Sequence, residues 1–189
     1  MELYEASAAA LHRALRAREV SPLEILESVL RQHDRINAMV TAVIALDADG
    51  ATQAARQSEL RMQRGELLGG LDGIPVSIKD NLLVRGLPAT WGSAKFENYR
   101  PLKDEIPIAR LKSRGAVIIG KTNVPEFTLQ GYTCNRLFGG TRNPWAIDFT
   151  PGGSSGGAAA AVACGIGPIA LGTDGGGSTR RPAGYTNLI

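Results

Sequence analysis

Apolar residues recur at helical spacing along the first third of the chain. Leu11 and Leu15 share one face of a short Ala-rich segment that Ser7 can start, because a serine hydroxyl accepts an N–H that the first helical turn leaves unpaired. Ser21-Pro22-Leu23-Glu24 reads as a capping box with proline at the first helical position, and Leu23, Leu26, Val29 and Leu30 follow on one face. The helical period is lost over Val40 to Leu46, which predicts a strand. Asp47 to Arg64 predicts a third helix, with Gly65 placed to end it.

After Leu67 the pattern changes. Gly69-Gly70-Leu71-Asp72-Gly73 predicts a turn, and Ile74 to Asn81 a short alternating strand that carries Lys79. Residues 86–101 follow neither period. Asp104 is placed to cap a helix running to Arg114, with Pro107 tolerated in its first turn, and Gly115 to Gly120 predicts a short buried strand. Helices alternating with short apolar strands define an α/β architecture, and no repeat or linker divides the 189 residues.

The last forty residues, Thr150 to Ile189, differ from everything before them. Two glycine-rich turns, one around Ser154 and Ser155 and one ending at Ser178, flank small apolar residues, and no charge falls between Phe149 and Thr173. Glycine at this density is costly in backbone entropy, so the backbone is expected to approach something closely there. The segment is long enough to cross a bilayer, but Gly, Pro, Ser and Thr interrupt it, and it reads as buried and tightly packed.

Composition and charge narrow the function classes. With 43% hydrophobic and 21% charged residues the chain is not of the disordered class, and a net charge of +3 without a basic run gives little support for nucleic-acid or membrane binding. The acidic start, Met1-Glu2-Leu3-Tyr4-Glu5, does not resemble an export signal. The two cysteines, Cys134 and Cys164, lack metal-ligand spacing, so a reducing cytoplasm and no metal are expected.

Three candidates carry chemistry. Residues 115–122, GAVIIGKT, match a phosphate-loop pattern, but the four variable residues are those of a buried strand rather than of an exposed turn. Ser178 follows Thr173-Asp174-Gly175-Gly176-Gly177, where side-chain-free residues can turn backbone N–H groups toward one point beside a hydroxyl. A serine nucleophile needs a base, yet His12 and His33 both fall on N-terminal helices, as surface or packing residues. That leaves lysine. Lys79 closes an apolar strand, where lost solvation lowers its proton affinity, although an ion pair with Asp80 is equally open and Lys121 competes on the same grounds.

Taken together, GIPVSIKDN, GKTNVPEF, TRNPW, PGGSSGG and GTDGGGS resemble the amidase signature family. The resemblance runs from about Leu67 to the end, with residues 1–66 as a helical lead-in and 67–189 as the signature core of one domain. It implies a mixed sheet wrapped by helices and hydrolysis or transfer of an amide acyl group by a Ser-Ser-Lys triad. By that resemblance Ser178 is the nucleophile, and Ser154 is the bridging serine, preceded by a cis peptide bond. Lys79 is the base, and the N–H groups of Gly175, Gly176, Gly177 and Ser178 form the oxyanion hole. Ser155, Asp174 and Arg180 support the site. No cofactor is implied, and the partner is a small-molecule amide or carbamoyl compound, with a homodimer left open.

Thr179, Cys134 and Asn187 depart from the family pattern, which favours an apolar residue, an acidic residue and glycine there. Family members are also longer, and this chain stops eleven residues past Ser178. A fragment is therefore expected, one that completes neither sheet nor acyl pocket and is weakly active or inactive alone. Alternatives are the glutaminase subunit of a tRNA-dependent amidotransferase and a non-catalytic remnant whose glycine loops hold an anion.

Overall fold

A computed structural model of the protein describes residues 2–189. The N-terminal helices form as their caps dictate. Helix α1 (Ala8–Ala17) starts where Ser7 Oγ accepts the Ala10 N–H at 3.3 Å. Helix α2 (Pro22–Val40) starts with the full capping box: Glu24 N donates to Ser21 Oγ at 3.1 Å, and Ser21 N donates to Glu24 Oε2 at 2.7 Å. Helix α3 (Ala48–Arg64) ends at Gly65, whose φ of 77° is one that glycine adopts at no steric cost. His12 and His33 lie on α1 and α2.

Strands β1 (Val43–Leu46), β2 (Pro75–Lys79), β3 (Val117–Thr122) and β6 (Ile169–Leu171) make one sheet in the order β1-β3-β2-β6. The β1–β3 pairing is antiparallel, and β2 runs parallel to both β3 and β6. Strands β4 (Cys134–Asn135) and β5 (Gly139–Gly140) form a separate small hairpin. The mixed sheet among helices agrees with the expected fold class.

Alternation along β3 divides the core between the two faces. Val117 and Ile119 pack with Leu26 and Val29 of α2, Ala51 and Ala55 of α3, and Ala160 and Ala161 of helix α5 (Gly156–Ala163). Ala116 and Ile118 face the other way, toward Val76 and Ile78 of β2, Val84, and Ile108 of helix α4 (Ile106–Ser113). Residues 156–161 of α5 are all buried. The uncharged, small-residue segment is therefore a core helix, small because its neighbours press close: a Cβ on Gly157 would lie 2.8 Å from Asn123 Cα.

Four boundaries differ from expectation, the first being that of β3, which is expected over Gly115–Gly120 and runs over Val117–Thr122. The strand expected over Val40–Leu46 begins at Val43, because α2 runs through Val40 and Thr41 turns left-handed with φ 52°. Asn37 holds that exit, its amide donating to Val43 O at 2.8 Å and its carbonyl accepting from Ala42 N and Val43 N. Asp104 does not cap α4. Glu105 occupies the N-cap without a side-chain bond to the helix, and Asp104 instead accepts from Arg85 N at 2.7 Å and Lys112 Nζ at 2.8 Å. Strand β2 stops at Lys79 rather than Asn81, where the chain turns away and Leu82 N bonds back to Lys79 O.

Candidate active site

Strand β2 delivers Lys79 into the interior. The side chain is fully buried, and its Nζ lies 2.8 Å from Ser154 Oγ, 2.8 Å from Thr173 Oγ1 and 3.2 Å from Thr173 O. Burial pushes its amine down to about 8, against the opposing charge of Asp174. Asp80, the neighbour that could have paired with Lys79, is turned elsewhere: it accepts from Thr90 N and Thr90 Oγ1 and faces Lys121 Nζ at 3.6 Å.

Lys121 shows how differently two buried lysines can be used. It too is fully buried and is pushed down to about 8, by burial against the opposing charge of Asp80. Its Nζ donates to the carbonyls of Asp80, Leu82 and Pro88 at 3.0, 2.8 and 2.8 Å. Those three acceptors call for three N–H donors, so this lysine staples a loop and has no lone pair to offer. The phosphate-loop pattern thus lies within a buried strand, with its lysine facing carbonyl oxygens. Lys79 faces one carbonyl, Thr173 O, and two hydroxyls, those of Thr173 and Ser154, and a hydroxyl, unlike a carbonyl, can accept from the ammonium or donate to the neutral amine.

The two serine turns meet beside Lys79. Ser154 and Ser155 are buried, and the peptide bond between Gly153 and Ser154 is cis, as the resemblance implies. A Cβ on Gly153 would stand 2.7 Å from Tyr132 O, so only glycine fits beneath that segment. Ser155 N donates to Ser178 O at 3.0 Å and Ser155 Oγ donates to Thr173 O at 3.2 Å, tying the turns together. The half-buried Ser178 makes no side-chain hydrogen bond among the described residues, to Ser154 or to any other group.

Asp174 shapes the nucleophile turn. Its carboxylate accepts from Gly177 N at 2.6 Å and Thr179 N at 3.1 Å, and the Arg180 Nε and Nη2 each lie 2.9 Å from it. The Arg180 guanidinium and these N–H groups hold its carboxyl far below the usual carboxylate range. The Gly177 N–H is therefore engaged, and of the four N–H groups expected to hold an oxyanion, those of Gly175, Gly176 and Ser178 remain without a partner among the described residues.

Thr179 and Asn187, two departures from the family pattern, find local answers. The Thr179 hydroxyl donates to Thr173 O at 3.1 Å, so it is not left unpaired. Asn187 sits at φ 58°, a conformation asparagine tolerates better than most residues. Cys134 is exposed in β4. Two further site residues escape the sequence reading, Thr173 and Asn81, whose amide donates to Thr173 Oγ1 at 3.3 Å, although both lie within the motifs GTDGGGS and SIKDN.

A buried lysine thus contacts a serine hydroxyl, and that serine's turn is tied to a second serine beside free N–H groups. The family profile described as Amidase matches residues 24–189, and the chain belongs to the amidase signature family. A subunit of the glutamyl-tRNA(Gln) amidotransferase of Acidothermus cellulolyticus is 43% identical over 188 residues, and its counterpart in Roseiflexus castenholzii is 45% identical over 186. These alignments cover 100% and 98% of this chain, which spans only 37% and 38% of those relatives. Among solved structures, a bacterial aryl acylamidase of the amidase signature family superposes with a TM-score of 0.90 at 37% identity, over 94% of this chain and 37% of that one. A fatty acid amide hydrolase superposes at 0.92 with 26% identity, over 97% and 32%. No helix among the described residues is long and apolar enough to cross a membrane.

Proposed function

We propose that this chain carries the Ser-Ser-Lys centre of an enzyme that cleaves an amide C–N bond through an acyl-enzyme on Ser178. The observation that carries this reading is the 2.8 Å contact of the buried Lys79 amine with Ser154, where no carboxylate among the described residues forms an ion pair with the amine. Neutral Lys79 takes the Ser154 proton as Ser154 takes that of Ser178, and Ser178 attacks the amide carbonyl. The developing oxyanion is held by the N–H groups of Gly175, Gly176 and Ser178, while Asp174 keeps Gly177 in place. The proton returns along Ser154 to the leaving amine, and a nucleophile then releases the acyl group. The Ser154–Ser178 link is not made in this structure, and such bonds often close only around substrate.

The relatives favour a particular form of this chemistry. Eight curated relatives, at 39–45% identity, are all the same subunit of glutamyl-tRNA(Gln) amidotransferases. That supports glutamine as the amide, with partner subunits and charged tRNA receiving the ammonia. The second reading, a free-standing amidase that passes the acyl group to water, is supported by the likeness to the aryl acylamidase. Ammonia release from glutamine and from simple amides, with and without partner subunits and charged tRNA, separates the two. Release from glutamine that partners stimulate supports the first, and partner-independent turnover of simple amides supports the second. Turnover that survives Ser178→Ala would contradict both.

A further inference from the structure

The two buried lysines differ in what else uses their acceptors. The three carbonyls that receive Lys121, those of Asp80, Leu82 and Pro88, take no second donor among the described residues. Lys79 shares its partners on Thr173. The Thr173 carbonyl lies 3.2 Å from Lys79 Nζ and also accepts from Ser155 Oγ at 3.2 Å and Thr179 Oγ1 at 3.1 Å. A carbonyl oxygen has two lone pairs, so three donors exceed what it can take. The Thr173 hydroxyl, 2.8 Å from Lys79 Nζ, likewise receives the Asn81 amide at 3.3 Å.

This crowding acts on the protonation state of the amine. An ammonium has three N–H groups to place and no lone pair, whereas a neutral amine has two and can accept from a hydroxyl. In a buried site every N–H without an acceptor costs free energy. Where Ser155 and Thr179 fill the carbonyl and Asn81 shares the hydroxyl, the charged form therefore loses more than the neutral one. Few charges offset this. Asp174 bears on the amine and is itself held by Arg180, Asp80 faces Lys121, and neither the Ser154 turn nor α5 carries a charged residue.

Thr179 makes the arrangement particular to this chain. The family pattern has an apolar residue there, which would leave one lone pair of the Thr173 carbonyl open to Lys79. We propose that Thr179, together with Asn81, is a positioning residue that acts through Thr173 to keep Lys79 in its neutral, proton-accepting form. The inference rests on the reading of Lys79 as the base of the relay.

The test uses the intact polypeptide that carries this sequence, with the rate of fluorophosphonate modification of Ser178 followed between about pH 6 and 10. Thr179→Val removes the hydroxyl and keeps the branched shape. The ammonium then gains an acceptor, so the Lys79 value rises and the inflection should move to higher pH by about half a unit or more. Relative to the variant's own plateau, the rate at pH 7 should fall roughly threefold or more. Thr179→Ser keeps the hydroxyl and should restore the original inflection, and Asn81→Leu, which frees the Thr173 hydroxyl, should raise the inflection as Thr179→Val does. An inflection that stays or falls in either Thr179→Val or Asn81→Leu would overturn the proposal, including the case of a lowered plateau alone, which a merely structural role gives. Titration of the Lys79 Cε resonance by NMR, assigned with Lys79→Met, reads the same shift without catalysis: a rise in Thr179→Val supports the proposal, and an unchanged value overturns it. A Ser178 that no fluorophosphonate modifies at any pH would overturn the nucleophile assignment and this inference with it. A pH-dependent modification with the same inflection in every variant overturns this inference alone.

Discussion

The protonation state of Lys79 gives the proposed relay a measurable pH dependence. Burial pushes the amine down to about 8, and the charge of Asp174 holds it from falling further. With that value, about a tenth of the amine is neutral at pH 7 and about a hundredth at pH 6. If the neutral form is the base, the rate constant for fluorophosphonate modification of Ser178 should climb roughly tenfold per unit between pH 6 and 7 and level off above about pH 9. Intact-mass spectrometry of the adduct against time measures that rate directly. Asp174→Asn removes the charge that helps retain the proton, so the inflection should move to lower pH. The plateau should fall as well, because the same change weakens contacts to Gly177, Thr179 and Arg180. A rate independent of pH between 6 and 9 would refute Lys79 as the base. An inflection that rises in Asp174→Asn would refute Asp174 as the charge that retains its proton.

Three further outcomes follow from the packing around the site. Lys121→Met leaves the carbonyls of Asp80, Leu82 and Pro88 unpaired and the buried Asp80 carboxylate without its cation. It should cost about 3–5 kcal/mol in guanidinium chloride unfolding, and a loss under about 1 kcal/mol would contradict the staple. Gly157→Ala gains about 0.5–1 kcal/mol of helix propensity. It also drives a methyl group into the Asn123 backbone, so a net loss of about 1 kcal/mol is expected in the same assay. The buried Asp72 carboxylate loses solvation, but hydrogen bonds from Arg61 and Leu68 N hold it below its ordinary value. Its contribution is fully present above about pH 4 and is lost as pH falls through the depressed value. Asp72→Asn should therefore flatten the acid limb of a stability-against-pH curve.

Local signals in the chain are legible where they act locally. The Ser21 capping box and Gly65 mark helix ends by contacts within a few residues, and the structure realises both. The exit from α2 is not legible, because Asn37 caps it through contacts five and six residues ahead that no helical period records. Adjacency in sequence makes an ion pair between Lys79 and Asp80 look open, yet consecutive residues of an extended strand face opposite ways, and the two side chains go to different partners. Neither composition nor burial separates Lys79 from Lys121. What separates them is the acceptor set around each amine, which depends on the loop at residues 80–88 and on the turn at Thr173. The glycine run before Ser178 marks that serine as a candidate nucleophile, whereas the role of Ser154 comes from the family resemblance alone. Their neighbour Thr173, which accepts two of the three Lys79 contacts, becomes visible only once strand β6 places it there.

The most direct test of the central claim is to expose the protein to a fluorophosphonate and map the adduct by peptide mass spectrometry. One modified residue is expected, Ser178, with labelling strongly reduced in Lys79→Met and in Ser154→Ala. Labelling of another residue, or labelling of Ser178 that persists at full rate without Lys79, would contradict the Ser-Ser-Lys assignment.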